Sequence, residues 1–170
     1  MKKITGTKLK KFNKKNKPDR EIILILDNLE YARNVASIFN LAFALKVETI
    51  FLTGITTTPP FGKDLQKVSK RREEHLFWKK EKNLPILVEK LKSQGVTTIA
   101  LAKTEDSISF DLINSNQLAN KVAIIVGNEK QGLSNKLLSE VDIVTIVPVF
   151  RPLAHLNIVN ELAVLAYKLV

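Results

Sequence analysis

The chain has 170 residues, 45% of them hydrophobic and none of them cysteine; this is enough for one buried core and excludes a disulfide framework and thiolate metal sites. The formal net charge is +10, which favours polyanionic partners, but Lys2, Lys3, Lys8, Lys10, Lys11, Lys14, Lys15 and Lys17 all fall within residues 1–18, where there is no acid. Removing those eight from the 27 basic residues leaves 19 against 17 acidic ones, so the rest of the chain is close to neutral.

Residues 1–19 therefore read as a basic tail without fixed structure, with few apolar side chains to bury. Such a tail can contact phosphates through counterion release, or serve only to keep the chain soluble. Residues 20–170 read as a single domain. No apolar run approaches the roughly 20 residues of a membrane span, and no apolar segment of signal-peptide type follows the first lysines. The expectation is a cytoplasmic protein with no membrane partner and no metal.

In chain order, Ile22-Ile-Leu-Ile-Leu-Asp27 is a continuous apolar run, as a strand covered on both faces requires. From Asn34 to Leu45, Val35, Ile38, Leu41, Ala42 and Leu45 recur at helical spacing, with Asn34 available as the cap. Thr49-Ile-Phe-Leu-Thr53 is a second strand closed by Gly54, giving a strand–helix–strand unit that favours parallel pairing. Thr56 to Gly62 holds Pro59-Pro60 and reads as loop. A short polar helix is expected over Lys63 to Glu74, and a brief extended segment at Leu76 to Trp78. Pro85 then sits in the first turn of a helix ended by Gly95. Val96–Ala102, Val122–Val126 and Ile143–Val147 are three further strands, the last halted by Pro148. A final helix runs from about Leu156, with Ile158, Leu162, Leu165 and Leu169 on one stripe. The expected fold is one α/β domain of about five parallel strands flanked by helices.

Chemistry concentrates in Gly127-Asn-Glu-Lys-Gln-Gly132-Leu133, a glycine-bounded loop between a strand and a helix. Leu133 stands where a triphosphate-cradling loop needs lysine, and Glu129 adds negative charge, so a nucleoside triphosphate site is disfavoured. The dinucleotide spacing G-x-G-x-x-G occurs nowhere in the chain. An acidic loop suited to a cationic ligand or to fixing neighbouring loops remains, beside the plainer reading of an ordinary strand-to-helix turn.

This loop resembles the G-x-E-x-x-G-[LIM] motif of SpoU/TrmH-type methyltransferases of the SPOUT superfamily. Twenty residues after Gly127, Val147-Pro148 is similar to that family's strand end in [IV]-P, and His155-Leu156-Asn157-Ile158 is similar to its S-L-N-V segment. Upstream, Leu26-Asp27-Asn28 followed by Asn34-Val35-Ala36-Ser37-Ile38 is similar to the family's first motif. The resemblance covers about residues 20–170. It implies a single-domain SPOUT fold, a trefoil-knotted parallel sheet flanked by helices, with dimers pairing across the first and last helices of the domain. It further implies S-adenosylmethionine as cofactor and tRNA or rRNA as the partner methylated on a ribose 2′-hydroxyl. By position, Gly127, Val147 and Leu156 would hold the cofactor largely through backbone groups, with Leu101 and Ala102 beside the adenine.

Two positions depart from the family. Its arginine six residues after the first-motif asparagine is Asn40 here, which has neither the charge nor the reach of a guanidinium. Its motif-three serine is His155. Either the site is rewired or catalysis has been lost and the domain is a silent RNA-binding module. In the rewired site His155 accepts the hydroxyl proton, histidine being the side chain that exchanges protons near neutral pH, while Arg33 or Arg151 contacts phosphate. Taken singly, His155 reads sooner as a surface or helix-cap residue, and the two arginines sooner as solvated side chains. Asn34 and Asn157 read as loop-organising hydrogen-bond residues near the substrate, and Glu129 as the tie between the motif-two loop and its neighbours; turn and cap chemistry explains the asparagines equally well. The basic run Lys70-Arg71-Arg72 reads as an RNA contact or as a solvated helix face.

Overall fold

The computed structural model describes residues 5–15, 18–151 and 154–170. Lys2, Lys3 and Lys17 of the basic tail lie outside the described residues. Within that tail, where no fixed structure is expected, Gly6–Lys15 forms a helix, α1, and residues 5–12 are exposed. Ten residues with little tertiary support make a marginal helix in water.

β1 (Glu21–Asp27) leads into α2 (Ala32–Leu45) and β2 (Thr49–Thr53), and then α3 (Lys63–Ser69), β3 (Trp78–Glu81) and α4 (Leu84–Ser93) follow. The second half holds β4 (Thr97–Leu101), β5 (Ile108–Ser109), β6 (Lys121–Val126), α5 (Asn135–Glu140), β7 (Ile143–Ile146) and α6 (Ile158–Leu169). All pairings are parallel, in the order β3-β2-β1-β6-β4-β7-β5. The five expected strands thus become seven. β3, Trp-Lys-Lys-Glu, and the two-residue β5 lie at the sheet edges, too polar or too short to leave a period-two signal.

The central strands alternate between two cores. Ile22, Leu24 and Leu26 of β1 join Val122, Ile124 and Val126 of β6 in one cluster, packed against α2 and α6. Ile23 and Ile25 join Ala123 and Ile125 in the other, packed against α4 and α5. Side chains that project alternately to two helical layers explain the unbroken apolar runs, since neither face meets water.

Two helix boundaries differ from expectation. α2 begins at Ala32 with Tyr31 as N-cap and no side-chain cap bond, so Asn34 lies inside the first turn and does not cap it. The helix expected over Lys63 to Glu74 stops at Ser69, because Lys70 and Arg71 both adopt left-handed backbone before a 3-10 turn at Arg72–Glu74. Buried Ser69 donates to the buried Glu73 carboxylate, Oγ to Oε2 2.5 Å, which holds the two pieces together.

Candidate active site

In open parallel sheets ligands bind beyond the carboxyl ends of the strands. Here β1, β6 and β4 end side by side at Asp27, Val126 and Leu101. A cavity of about 520 Å³ opens there, within the range of small-molecule sites. Most of its lining comes from three stretches far apart in sequence, the end of β4 from Leu101, the loop 127–133, and the segment 155–158 entering α6, with Tyr31, Asn34, Ile146 and Glu161 among the residues that complete it.

The loop after β6 is fixed by its own residues. Asn128 accepts the Lys130 and Gln131 amides on Oδ1, each at 2.9 Å, and the Gly132 amide on its carbonyl at 2.8 Å. Gly132 takes φ +68°, which a side chain would strain. At Gly127 the constraint is space: a Cβ would stand 2.6 Å from the Gly132 carbonyl carbon and oxygen and 2.8 Å from Leu133 Cγ. The chain closes on itself there only because Gly127 has no side chain.

Glu129 then ties this loop to the start of α2. Its carboxylate accepts from Glu30 N at 2.8 Å, Tyr31 N at 3.3 Å and Asn34 Nδ2 at 2.8 Å. In effect a residue almost a hundred positions away caps the helix, which is why Asn34 is free to point inward. Burial works to raise the Glu129 pKa, but the bonds from Asn34, Glu30 and Tyr31 outweigh it and hold the carboxyl below its ordinary value. Asn34 Oδ1 in turn accepts from Asn157 Nδ2 at 3.1 Å, and Asn157 Oδ1 caps α6 by accepting from Val159 N at 2.8 Å. Asn128 Nδ2 donates to the Asn28 carbonyl at 2.9 Å. The three motif segments are therefore one hydrogen-bonded network. On its outer side Lys130 pairs with Glu30 at 3.0 Å and lies over the Tyr31 ring.

A model of the SpoU rRNA Methylase family matches residues 21–167. The chain belongs to that family. It is 26% identical over 147 residues to the 23S rRNA (guanosine(2553)-2'-O)-methyltransferase RlmP of Bacillus subtilis, covering 86% of this chain and 57% of that protein. To the tRNA (guanosine(18)-2'-O)-methyltransferase of Borreliella burgdorferi it is 31% identical over 90 residues, covering 53% of this chain and 40% of that one. The chain thus spans about half the length of the curated relatives it matches. Its fold is that of the AdoMet-bound rRNA methyltransferase from Sinorhizobium meliloti, with TM-score 0.78 at 20% identity, over 91% of this chain and 58% of that one.

Of the residues singled out in this SpoU-family sequence, Asn34, Leu101, Ala102, Gly127, Glu129, His155, Leu156 and Asn157 line the cavity. Val147 does not: it is 5% exposed and packs in the α2/α6 core just past the end of β7, while Ile146, the last residue of that strand, forms the wall. Arg33 and Asn40 are exposed on α2, and Arg151 is exposed in the loop after β7; none of the three reaches the cavity wall. His155 is exposed at the cavity's α6 side.

Sequence reasoning missed Lys103 and Glu161, which also line the cavity. Glu161 is 8% exposed, and Lys103 Nζ stands 3.6 Å from its Oε1. Burial pushes the Glu161 carboxyl above its usual range, opposed by the Lys103 ammonium and by His155. A signal for it existed: position 161 falls on the apolar stripe of Ile158, Leu162 and Leu165, where an acid is out of place.

Proposed function

We propose that this chain is an S-adenosylmethionine-dependent RNA ribose 2′-O-methyltransferase acting on tRNA or rRNA, as a cytoplasmic homodimer whose sheet is trefoil-knotted. One observation carries the reading: the motif-two loop, the end of β4 and the His155–Ile158 segment converge on a single cavity at the carboxyl edge of a parallel sheet. The named activities of the relatives, 2′-O-methylation of guanosines in rRNA and tRNA, support the choice of reaction. Phe43 on α2 and Val164 and Tyr167 on α6 are exposed apolar side chains, consistent with a partner subunit over those helices. No helix among the described residues is long and apolar enough to cross a membrane.

The cavity suits a nucleoside-bearing sulfonium. Gly127 permits close approach of backbone, Leu101, Ala102 and Leu156 offer apolar contact, and the buried Glu161 gives a polar anchor. These residues would hold the cofactor, which when bound supplies an electrophilic methyl group. The chain's own residues have to present the ribose hydroxyl and take its proton. His155, exposed at the cavity, has an imidazole able to accept that proton. Asn34 and Asn157 hold the two flanking segments in register through their mutual bond. Arg33 and Arg151, both exposed, are free to meet RNA phosphates in place of the guanidinium absent at Asn40, and the lysines of residues 1–19 add sequence-independent attraction.

Incubation with methyl-tritiated S-adenosylmethionine and bulk tRNA or rRNA is expected to label RNA at ribose oxygens. If neither pool is labelled, the assignment is overturned in favour of a silent RNA-binding module, which calorimetry would identify by absence of cofactor binding. His155→Ala is expected to lower turnover at least about tenfold, within the range of a lost general base, with cofactor affinity nearly unchanged. Unaltered turnover removes His155 from the mechanism.

A further inference from the structure

Two carboxylates face the cavity, and only one is satisfied by the described residues. Glu129 accepts from three donors. Glu161 Oε1 is buried and has no hydrogen-bond partner among the described residues. Lys103 Nζ, 3.6 Å away, balances the charge but stands beyond hydrogen-bond distance. A buried oxygen left without a donor is costly, and an apolar residue would serve the α6 stripe better. The position calls for donors brought by a ligand. Glu161 sits in the first turn of α6 and lines the cavity, as do Ala102 and Thr104 on either side of its ion-pair partner Lys103.

The local charges select among possible donors. A ligand ammonium or sulfonium close to Glu161 would also meet the Lys103 ammonium and be repelled. The Watson–Crick edge of adenine sets a ring-nitrogen lone pair beside its amino group, so one of the two would oppose the carboxylate. A vicinal diol has two O–H donors and no charge, which suits a carboxylate already paired with a lysine. Acidic side chains read ribose hydroxyls in the same way in other parallel-sheet nucleotide sites.

We propose that Glu161, charge-paired with Lys103, is a specificity-determining residue that receives the ribose diol of the nucleoside cofactor. This rests on the methyltransferase reading above and adds a ligand group that the motif residues do not provide for.

The test is calorimetry on the full chain with S-adenosylhomocysteine and its 2′,3′-dideoxy analogue, in the wild type, Glu161→Gln and Glu161→Ala. In the wild type the dideoxy analogue is expected to bind at least about tenfold more weakly, the scale of charge-assisted hydrogen bonds. Glu161→Ala is expected to weaken the parent ligand by a similar factor and to bind both ligands within about twofold, because the two deletions remove one interaction. Glu161→Gln, keeping one acceptor, falls between. Losses that multiply, or a Glu161→Ala protein that binds the parent as the wild type does, overturn the proposal while leaving the methyltransferase reading intact. If Glu161→Ala abolishes discrimination at N6-methylated adenosylhomocysteine and not at the diol, the carboxylate reads adenine and the proposal is wrong. A wild type that binds neither S-adenosylmethionine nor S-adenosylhomocysteine overturns both. Thermal melting separates these outcomes from misfolding, since replacing an unsatisfied buried acid is not expected to lower the melting temperature.

Discussion

The two walls of the cavity are built on opposite principles. On the side of the loop 127–133, the Glu129 carboxylate and the Asn128 and Asn34 side chains all have partners, and the carboxyl is held below its ordinary pKa. Where the end of β4 meets the start of α6, Glu161 and Lys103 face each other without a hydrogen bond, and burial raises the Glu161 pKa. A satisfied wall contributes stability and fixes geometry. An unsatisfied wall gives up stability that a ligand can restore, so the two walls should respond to mutation with opposite signs.

The strongest break is expected at Gly127→Ala. Its new Cβ meets backbone at 2.6 Å rather than a yielding side chain, so the fold should lose about 1–3 kcal/mol. The melting temperature should then drop by several degrees, and cofactor binding should weaken with it, since the loop is itself the wall. An Ala variant that melts and binds like the wild type would show that the close approach is not needed.

Glu129→Gln comes next, because the amide turns a donor toward donors. A loss of about 1–3 kcal/mol is expected, with faster hydrogen exchange at the Glu30 and Tyr31 amides. The sign with pH follows from its lowered pKa: the contribution is complete above about 4.5, the ordinary glutamate value, and disappears as pH falls through the lower folded value. The wild type should therefore lose stability in that acid window and the Gln variant should not.

At Glu161 the sign reverses. A raised pKa means that stability is lost as pH rises from about 4.5 through the folded value. Without cofactor, Glu161→Gln should melt higher than the wild type near pH 7, by an amount on the order of 1 kcal/mol, with the gain vanishing in acid. A variant that is less stable at neutral pH would mean that the Lys103 pairing outweighs the burial.

The smallest effects belong to the exposed surface of α2. Arg33→Ala and Asn40→Ala should leave stability within about 0.5 kcal/mol, while Arg33→Ala should flatten the salt dependence of RNA binding if its guanidinium meets phosphate. Unchanged salt dependence would direct attention to Arg151.

Much of the fold was legible because buried parallel strands announce themselves. Ile22–Leu26, Thr49–Thr53 and Val122–Val126 are apolar runs with no competing helical period, and the structure places strands on all of them. Of the edge strands, β3 was touched only at Trp78, where the extended segment expected over Leu76 to Trp78 ends, and β5 was not legible, since an edge needs no apolar run to pair. Nor was the true start of α2, because its cap is supplied by Glu129 from another loop and local capping rules see only neighbours in sequence.

The sequence by itself determined the layered α/β architecture and the family through its spaced motifs, and it marked out the glycine-bounded loop between β6 and α5, since all of these depend on short-range periodicity and spacing. Tertiary structure alone decided which motif residues share a wall. It turned Val147 into the core and Ile146 into the cavity, joined Asn34 to Glu129 and Asn157, and brought Lys103 to Glu161. These pairings span tens to more than a hundred residues of chain, and burial and hydrogen bonding act on distance in space, which spacing in sequence does not encode.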